Sequence, residues 1–349
     1  MLHSSDKFII KGKDLSELQE WCNKKGHPKF RAQQLFEWMY FHGESNPMAM
    51  SNLSKNLIND LTTDCILQTL AVEKVSSSEN ESTHKFLFKT MDNRFIETVS
   101  MVEDNRHTVC ISSQIGCNLD CDFCATATMG IIRNLNTGEI VDQLGFIREK
   151  VETPITNIVF MGMGEPFFNY ERVLKAADIF HDPKGFGLGA HRITISTAGI
   201  LPKINKFYED GRKYKLAISL NASNDEIRSK IMPINNKWPI TDLVAIGRKH
   251  AHRNRKVMFE YVLLAGVNDS PENARELSRL LRGVDCKLNV IPYNETDGKY
   301  GRPENKAIES FLEVLSVNQK GYRVMVRWSK GQDIDAGCGQ LAVKQESNE

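Results

Sequence analysis

Along the first sixty positions, apolar residues recur at intervals of three and four, the spacing that puts them on one face of a helix. Leu15, Leu18, Trp21 and Cys22 follow Asp14, which with Glu17 makes a capping-box pattern, and Gly26 then Pro28 end the run. Phe30 to Tyr40 again sets large apolar groups about one turn apart, and Leu53, Leu57 and Leu61 repeat the spacing after Asn52. The pattern predicts a small helical domain over residues 1–75. Polar residues then dominate from Ser76 to Thr83, which reads as a loop or domain boundary. Phe86-Leu87-Phe88 and Phe95-Ile96-Glu97-Thr98-Val99 flank Asp92-Asn93 as the arms of a β-hairpin, so 76–102 reads as linker and hairpin extension.

From residue 103 the pattern changes to alternating β and α. The strand from Thr108 to Ser112 is followed by Asn157–Phe160, Arg192–Ser196, Leu216–Leu220, Val257–Val262 and Lys287–Ile291. Helix-like stretches separate them at 138–149, 171–180, 200–209, 224–231, 240–252 and 271–282. Alternation of this kind over 103–333 predicts an α/β core with a parallel sheet, and by itself fits an open sheet or a partial barrel. Residues 334–349 read as a C-terminal loop and tail.

Composition narrows the class without naming a function. Of 349 residues 41% are hydrophobic and 26% charged, as in ordinary soluble proteins. No stretch of eighteen uninterrupted apolar residues occurs, and Met1 to Lys7 lacks the apolar core of a signal peptide, so a cytoplasmic protein without a membrane partner is expected. A net charge of +1 argues against a wholly basic nucleic-acid binder, and any RNA surface has to be local. Lys24, Lys25, Lys29 and Arg31, and the run from Arg248 to Lys256 with Arg253 and Arg255, fit either phosphate contacts or solvated surface.

The chemistry concentrates in Cys117-Asn118-Leu119-Asp120-Cys121-Asp122-Phe123-Cys124. A structural zinc site wants four ligands, usually as two separated pairs, and no second pair follows. A disulfide framework does not suit a long chain with eight cysteines and no export signal. Three thiolates on one short loop suit an iron–sulfur cluster with one iron left open. The Cys-x3-Cys-x2-Cys spacing with Phe123 resembles the signature of radical S-adenosylmethionine (SAM) enzymes. That resemblance implies a [4Fe-4S] cluster on Cys117, Cys121 and Cys124, SAM bound to the open iron through its amino and carboxyl groups, and a partial (β/α)6 barrel whose site lies at the C-terminal strand ends.

Four further segments resemble the RlmN family: Cys110 to Cys117, Phe160-Met161-Gly162-Met163-Gly164-Glu165-Pro166, Met232-Pro233-Ile234-Asn235, and Asp333 to Leu341. The resemblance runs from about residue 12 to about residue 343. It implies methylation of carbon 2 of adenosine 2503 in 23S rRNA and of adenosine 37 in tRNA, with two SAM molecules used per methyl group. It assigns SAM contacts to Gly164, Glu165, Ser196, Ser219, Leu220, Asn221 and Asn294. Cys338 would be methylated by the first SAM; a radical formed with the second would add this carbon to adenine, and Cys110 would release the product. Glu97 matches the family's base. An electron donor such as flavodoxin or ferredoxin and a monomeric enzyme are also implied.

Carbon 2 of adenine is electron-poor and has no acidic group, so it is not a nucleophile for SAM's methyl; radical addition removes that limitation. The chain departs from many relatives in carrying Asn221 in place of histidine and Glu295-Thr296-Asp297 in place of a proline-containing stretch. Rival readings are Cfr-type methylation of carbon 8, a radical SAM activase acting on a protein, and a non-enzymatic metal-binding or redox module.

Overall fold

The computed structural model describes residues 7–80, 82–250, 256–296, 299–318 and 321–343. A short strand, β1 (Phe8–Ile9), opens the chain, and the expected capping box then starts α1 (Leu15–Lys24). The Asp14 carboxylate accepts from the Glu17 amide at 3.0 Å, and the Glu17 carboxylate accepts from the Asp14 amide at 2.9 Å. Helices α2 (Phe30–Glu37) and α3 (Lys55–Asp64) complete the unit, with Leu18, Leu35, Leu57 and Leu61 buried at its centre. β2 (Cys65–Ile66) returns to pair in parallel with β1.

Next comes an antiparallel meander of β3 (Leu70–Ser77), β4 (Thr83–Thr90), β5 (Phe95–Glu103) and β6 (Arg106–Cys110). The hairpin β4–β5 forms as the pattern predicts, with Asn93 left-handed at its turn (φ 58°). The polar stretch read as a loop is shorter than expected: Ser76 and Ser77 end β3, and Thr83 begins β4. Glu81 lies outside the described residues. β3 is polar because it is the outermost strand of the sheet, where charged side chains face water and discourage further pairing.

A small antiparallel ribbon follows, β7 (Gln114–Gly116) with β8 (Ile131–Asn134), and the short α4 (Ala125–Thr128) lies between its arms. The core then alternates: α5 (Thr137–Lys150), β9 (Asn157–Phe160), α6 (Tyr170–His181), β10 (Ile193–Thr197), α7 (Leu201–Glu209) and β11 (Lys215–Ser219). After α8 (Asp225–Ile231) and α9 (Ile240–His250) come β12 (Met258–Leu263), α10 (Pro271–Leu280), β13 (Cys286–Pro292), α11 (Asn305–Val317) and β14 (Tyr322–Val326). Strands β6, β9, β10, β11, β12, β13 and β14 lie side by side in that order, all parallel. Six strand–helix units and one extra strand therefore make the partial barrel, with the meander prolonging its first edge. Every residue of β9 and β10 is buried, as expected where helices cover a parallel sheet.

The alternation reading omits α11 and β14. Ile308, Phe311 and Leu315 do carry the helical spacing in α11. β14 is an edge strand, and its Arg323 breaks the apolar run.

Candidate active site

The three-cysteine loop is pinned at its base by the β7–β8 ribbon. Gly116 has φ +74°, and a Cβ there would lie 1.7 Å from the Gly130 carbonyl oxygen, which accepts from the Cys117 amide at 3.0 Å. Only glycine permits this approach. Asp120 is left-handed (φ 52°), and the Cys124 amide closes the loop onto the Cys121 carbonyl at 3.0 Å. All three cysteines are free thiols, and they line one cavity without forming a compact single-ion ligand set among the described residues. Burial pushes the Cys117 thiol up to about 12 and that of Cys121 well above its ordinary value. Thiolates here need a cation beside them, and separate thiols around one cavity suit a polynuclear cluster, each of whose irons takes its own sulfur. Gly116→Ala is expected to cut iron incorporation on anaerobic reconstitution to less than half of wild type while far-UV circular dichroism is kept. Full iron loading would show that the close approach is dispensable.

The same cavity has a volume of about 150 Å³ and is open to solvent on one side. Gly164, Glu165, Ser196, Ser219 and Asn221 line it, all at or just beyond the C-terminal ends of parallel strands. Gly164 has φ +92°, and a Cβ would meet that of Gln114 at 2.4 Å. The Glu165 side chain is already occupied: Oε1 accepts from the Phe167 amide at 2.9 Å and Oε2 from the Ala198 amide at 2.8 Å. Burial pushes its carboxyl up to about 7, and these two amides oppose the shift. Glu165 thus ties β9 to β10, leaving backbone atoms to face a ligand.

Asn221 is left-handed (φ 54°); its Oδ1 accepts from the Val262 amide at 2.9 Å and its Nδ2 points to the Met232 sulfur at 3.3 Å. Leu220 is buried outside the lining. Its carbonyl is one of several gathered by Arg228, whose guanidinium donates to Leu220 O at 3.1 Å, Ala198 O at 2.6 Å, Ser219 O at 3.0 Å and Asn235 Oδ1 at 2.9 Å. The Met232-Pro233-Ile234-Asn235 motif therefore serves Arg228, and Arg228 holds the ends of β10 and β11.

Cys338 reaches this cavity from the far end of the chain. Its segment is held by side chains and single backbone bonds. The Ala125 amide donates to Gly339 O at 2.8 Å, and Thr126 Oγ1 to Leu341 O at 2.5 Å. Asn294 Nδ2 donates to Cys338 O at 3.0 Å, while its Oδ1 accepts from Gln332 at 2.7 Å, so Asn294 faces the Cys338 loop and lies outside the lining. Cys110 sits at the end of β6 and is 8% exposed. Burial pushes Cys110 up to about 12 and Cys338 up to about 11, and the Arg327 charge opposes both shifts. The charge of Cys338 adds to the upward shift of Cys110. Glu97 is buried next to this region. Its Oε1 pairs with Lys85 Nζ at 3.3 Å, its Oε2 accepts from the Ala342 amide at 3.1 Å, and burial raises its carboxyl against the pull of Lys85.

Sequence reasoning missed Arg228, Glu260 and Arg327. Glu260 had a signal, a carboxylate inside an otherwise apolar strand; Arg327 had none, because β14 itself went unread. Of the basic candidates, Lys25 pairs with Asp64 at 2.6 Å and Arg31 donates to Asn52 O at 2.7 Å. Arg248 donates to Leu280 O at 3.0 Å and Lys256 pairs with Asp285, whereas Arg253 and Arg255 lie outside the described residues, as does Asp297 of the departing loop. No helix among the described residues is long and apolar enough to cross a membrane.

Comparison with known proteins adds the family context. Residues 111–277 match the radical SAM superfamily, and residues 10–67 match the ribosomal RNA large subunit methyltransferase N-terminal domain. A probable dual-specificity RNA methyltransferase RlmN of Symbiobacterium thermophilum is 39% identical over 337 residues, covering 95% of this chain and 90% of the relative. Its counterpart in Dictyoglomus turgidum is 43% identical over 333 residues, covering 94% of each. A crystal structure of a radical SAM methyltransferase from Sphaerobacter thermophilus superimposes with a TM-score of 0.91 at 43% identity, covering 97% of this chain and 100% of that one.

Proposed function

Because the chain belongs to the RlmN family of radical SAM RNA methyltransferases, we propose that it methylates carbon 2 of adenosine 2503 in 23S rRNA and of adenosine 37 in tRNA. One observation carries the reading. The three-cysteine loop, the strand ends with Gly164, Ser196, Ser219 and Asn221, and the distant Cys338 share a single cavity. A metal-binding module would have no use for that convergence.

Cys117, Cys121 and Cys124 would hold a [4Fe-4S] cluster, and the strand ends would hold SAM. These groups, when bound, supply both a methyl group and the one-electron cleavage that makes a carbon radical. The chain's own residues do the rest. Cys338 takes the methyl as a thioether, with Arg327 favouring its thiolate against the effect of burial. After the carbon joins adenine, Cys338 sulfur is bonded to RNA. Glu97 takes the proton from carbon 2 as the ring gives up the unpaired electron left by the addition, for which the bound cluster would be the acceptor. Cys110 then attacks the Cys338 sulfur: an S–S bond forms, the C–S bond breaks, and its electron pair leaves with the methyl carbon, which is protonated. Glu97 Oε2 now accepts from Ala342, four residues beyond Cys338, so its role as base requires that segment to shift. An external electron donor such as flavodoxin or ferredoxin, two SAM per product, a monomeric enzyme and a cytoplasmic setting complete the proposal.

The test is anaerobic incubation of the reconstituted enzyme with SAM, reductant and 23S rRNA or tRNA, followed by mass mapping of the modified adenosine. Methyl at carbon 2 is expected. Methyl at carbon 8 would favour the Cfr-type reaction, and no methylation by an enzyme with full iron and sulfide would overturn the reading.

A further inference from the structure

The loop that carries Cys338 is held at both shoulders by one pair of side chains. Lys85 Nζ donates to Asp335 O at 3.4 Å, three residues before Cys338, and Glu97 Oε2 accepts from the Ala342 amide at 3.1 Å, four residues after it. The pair also closes on itself, with Lys85 Nζ 3.3 Å from Glu97 Oε1 and both side chains largely buried. Each member stands on the meander. In the β4–β5 register Leu87 lies opposite Glu97, so Lys85, two positions along on the same face, is a diagonal neighbour within reach of a long side chain. The ion pair therefore belongs to the sheet and does not depend on the loop.

That difference matters when the loop moves. Glu97 can act as base only after the segment with Ala342 shifts, and the shift takes away an N–H that helps the carboxylate stay ionised. Burial favours the neutral acid, which cannot take a proton. Among the described residues, the charged groups that act on the Glu97 carboxyl are Lys85 from β4, which opposes the effect of burial, and Asp335 from the loop, which adds to it. Ser112 donates to the Glu97 backbone carbonyl and the Met163 sulfur meets its amide, so neither supports the carboxylate. Once the loop has released Asp335 O, the Lys85 ammonium has one acceptor fewer and Glu97 has Lys85 as its remaining cation.

We propose that Lys85 is a positioning residue for the base, holding the Glu97 carboxylate in place as proton acceptor while the loop that carries Cys338 lets go. The proton passes from carbon 2 to Glu97, and Lys85 keeps its own throughout. This rests on the reading of Glu97 as the base.

The experiment follows single-turnover formation of methylated RNA by the cluster-loaded enzyme across pH, with protium or deuterium at carbon 2 of the target adenine. Lys85→Met is expected to be about tenfold or more slower near neutral pH, with the acid limb of its profile higher by about one pH unit or more. Its isotope effect should exceed that of wild type, because proton removal becomes the slow step. Lys85→Gln keeps an N–H for Asp335 O but no charge and should behave as Lys85→Met does, whereas Lys85→Arg should recover most of the rate. Iron content and far-UV circular dichroism establish that each variant is folded and loaded. The inference is overturned if the Met and Gln variants match wild type, if they are slowed equally at every pH with the wild-type isotope effect, or if Gln alone restores the rate. Turnover of Glu97→Gln at the wild-type rate would instead remove the underlying reading and the inference with it.

Discussion

Replacing Cys110 with alanine in the cluster-loaded enzyme is expected to leave RNA covalently attached to the protein, with turnover reduced on the order of 10³-fold or more. The expectation follows from how differently the two cysteines are held. Cys110 ends β6, paired with Val99 on one side and Val159 on the other, and is almost fully buried. It is part of the sheet. Cys338 stands on a segment fixed by Asn294, Ala125 and Thr126, contacts that can be exchanged one at a time. In the proposed mechanism Cys338 is the residue that carries a carbon between SAM and RNA, and Cys110 the fixed thiol that meets it on return. Without Cys110 the C–S bond to the base has no nucleophile to break it. Denaturing electrophoresis and mass spectrometry after incubation with SAM, reductant and RNA read the adduct directly. It should be absent in Cys338→Ala and in the double variant. Free methylated RNA from Cys110→Ala at the wild-type rate would contradict the assigned roles.

Arg228→Met should lower stability by about 3–5 kcal/mol, enough to threaten folding of the whole core. Arg228 is fully buried and, among the described residues, has no carboxylate within ion-pair distance. Burial draws its guanidinium down to about 10, still charged at neutral pH. Methionine would recover the cost of burying that charge, but it strands the oxygens of Leu220, Ala198, Ser219 and Asn235, each costing about 1–3 kcal/mol without a donor. Four such groups outweigh the recovered desolvation. Arg228→Lys should also be clearly destabilised, because one ammonium cannot reproduce a planar fork reaching four acceptors. Because Ala198 and Ser219 line the cavity, SAM affinity should fall with stability. Chemical denaturation of the purified variants measures the first effect, and a midpoint for Arg228→Lys equal to wild type would refute the argument.

Several features were legible because their causes are local. The capping box at Asp14 and Glu17 needs only four consecutive residues. The hairpin at Asp92-Asn93 needs a turn between two apolar arms. Six strands of the barrel read clearly because both faces of a covered parallel sheet must be apolar. The unread parts are those whose sequence answers to neighbours elsewhere: β3 is polar because nothing pairs beyond it, and β14 is interrupted because it lies at the other edge. Asn235 looked like a family marker until its contact with Arg228 gave it a physical task.

By itself, then, the sequence determined the helical start, the β/α alternation of the core and the three-cysteine spacing that points to an open iron, since each element of these is carried by a local pattern of residues. Tertiary structure decided the rest of the site: that Cys338 enters the cavity of the cysteine loop, that Asn294 holds its carbonyl, and that Ser196 meets Glu260 there. Those outcomes depend on strand register summed across the whole sheet, where a shift of one residue turns every side chain to the opposite face, and no local spacing carries that information.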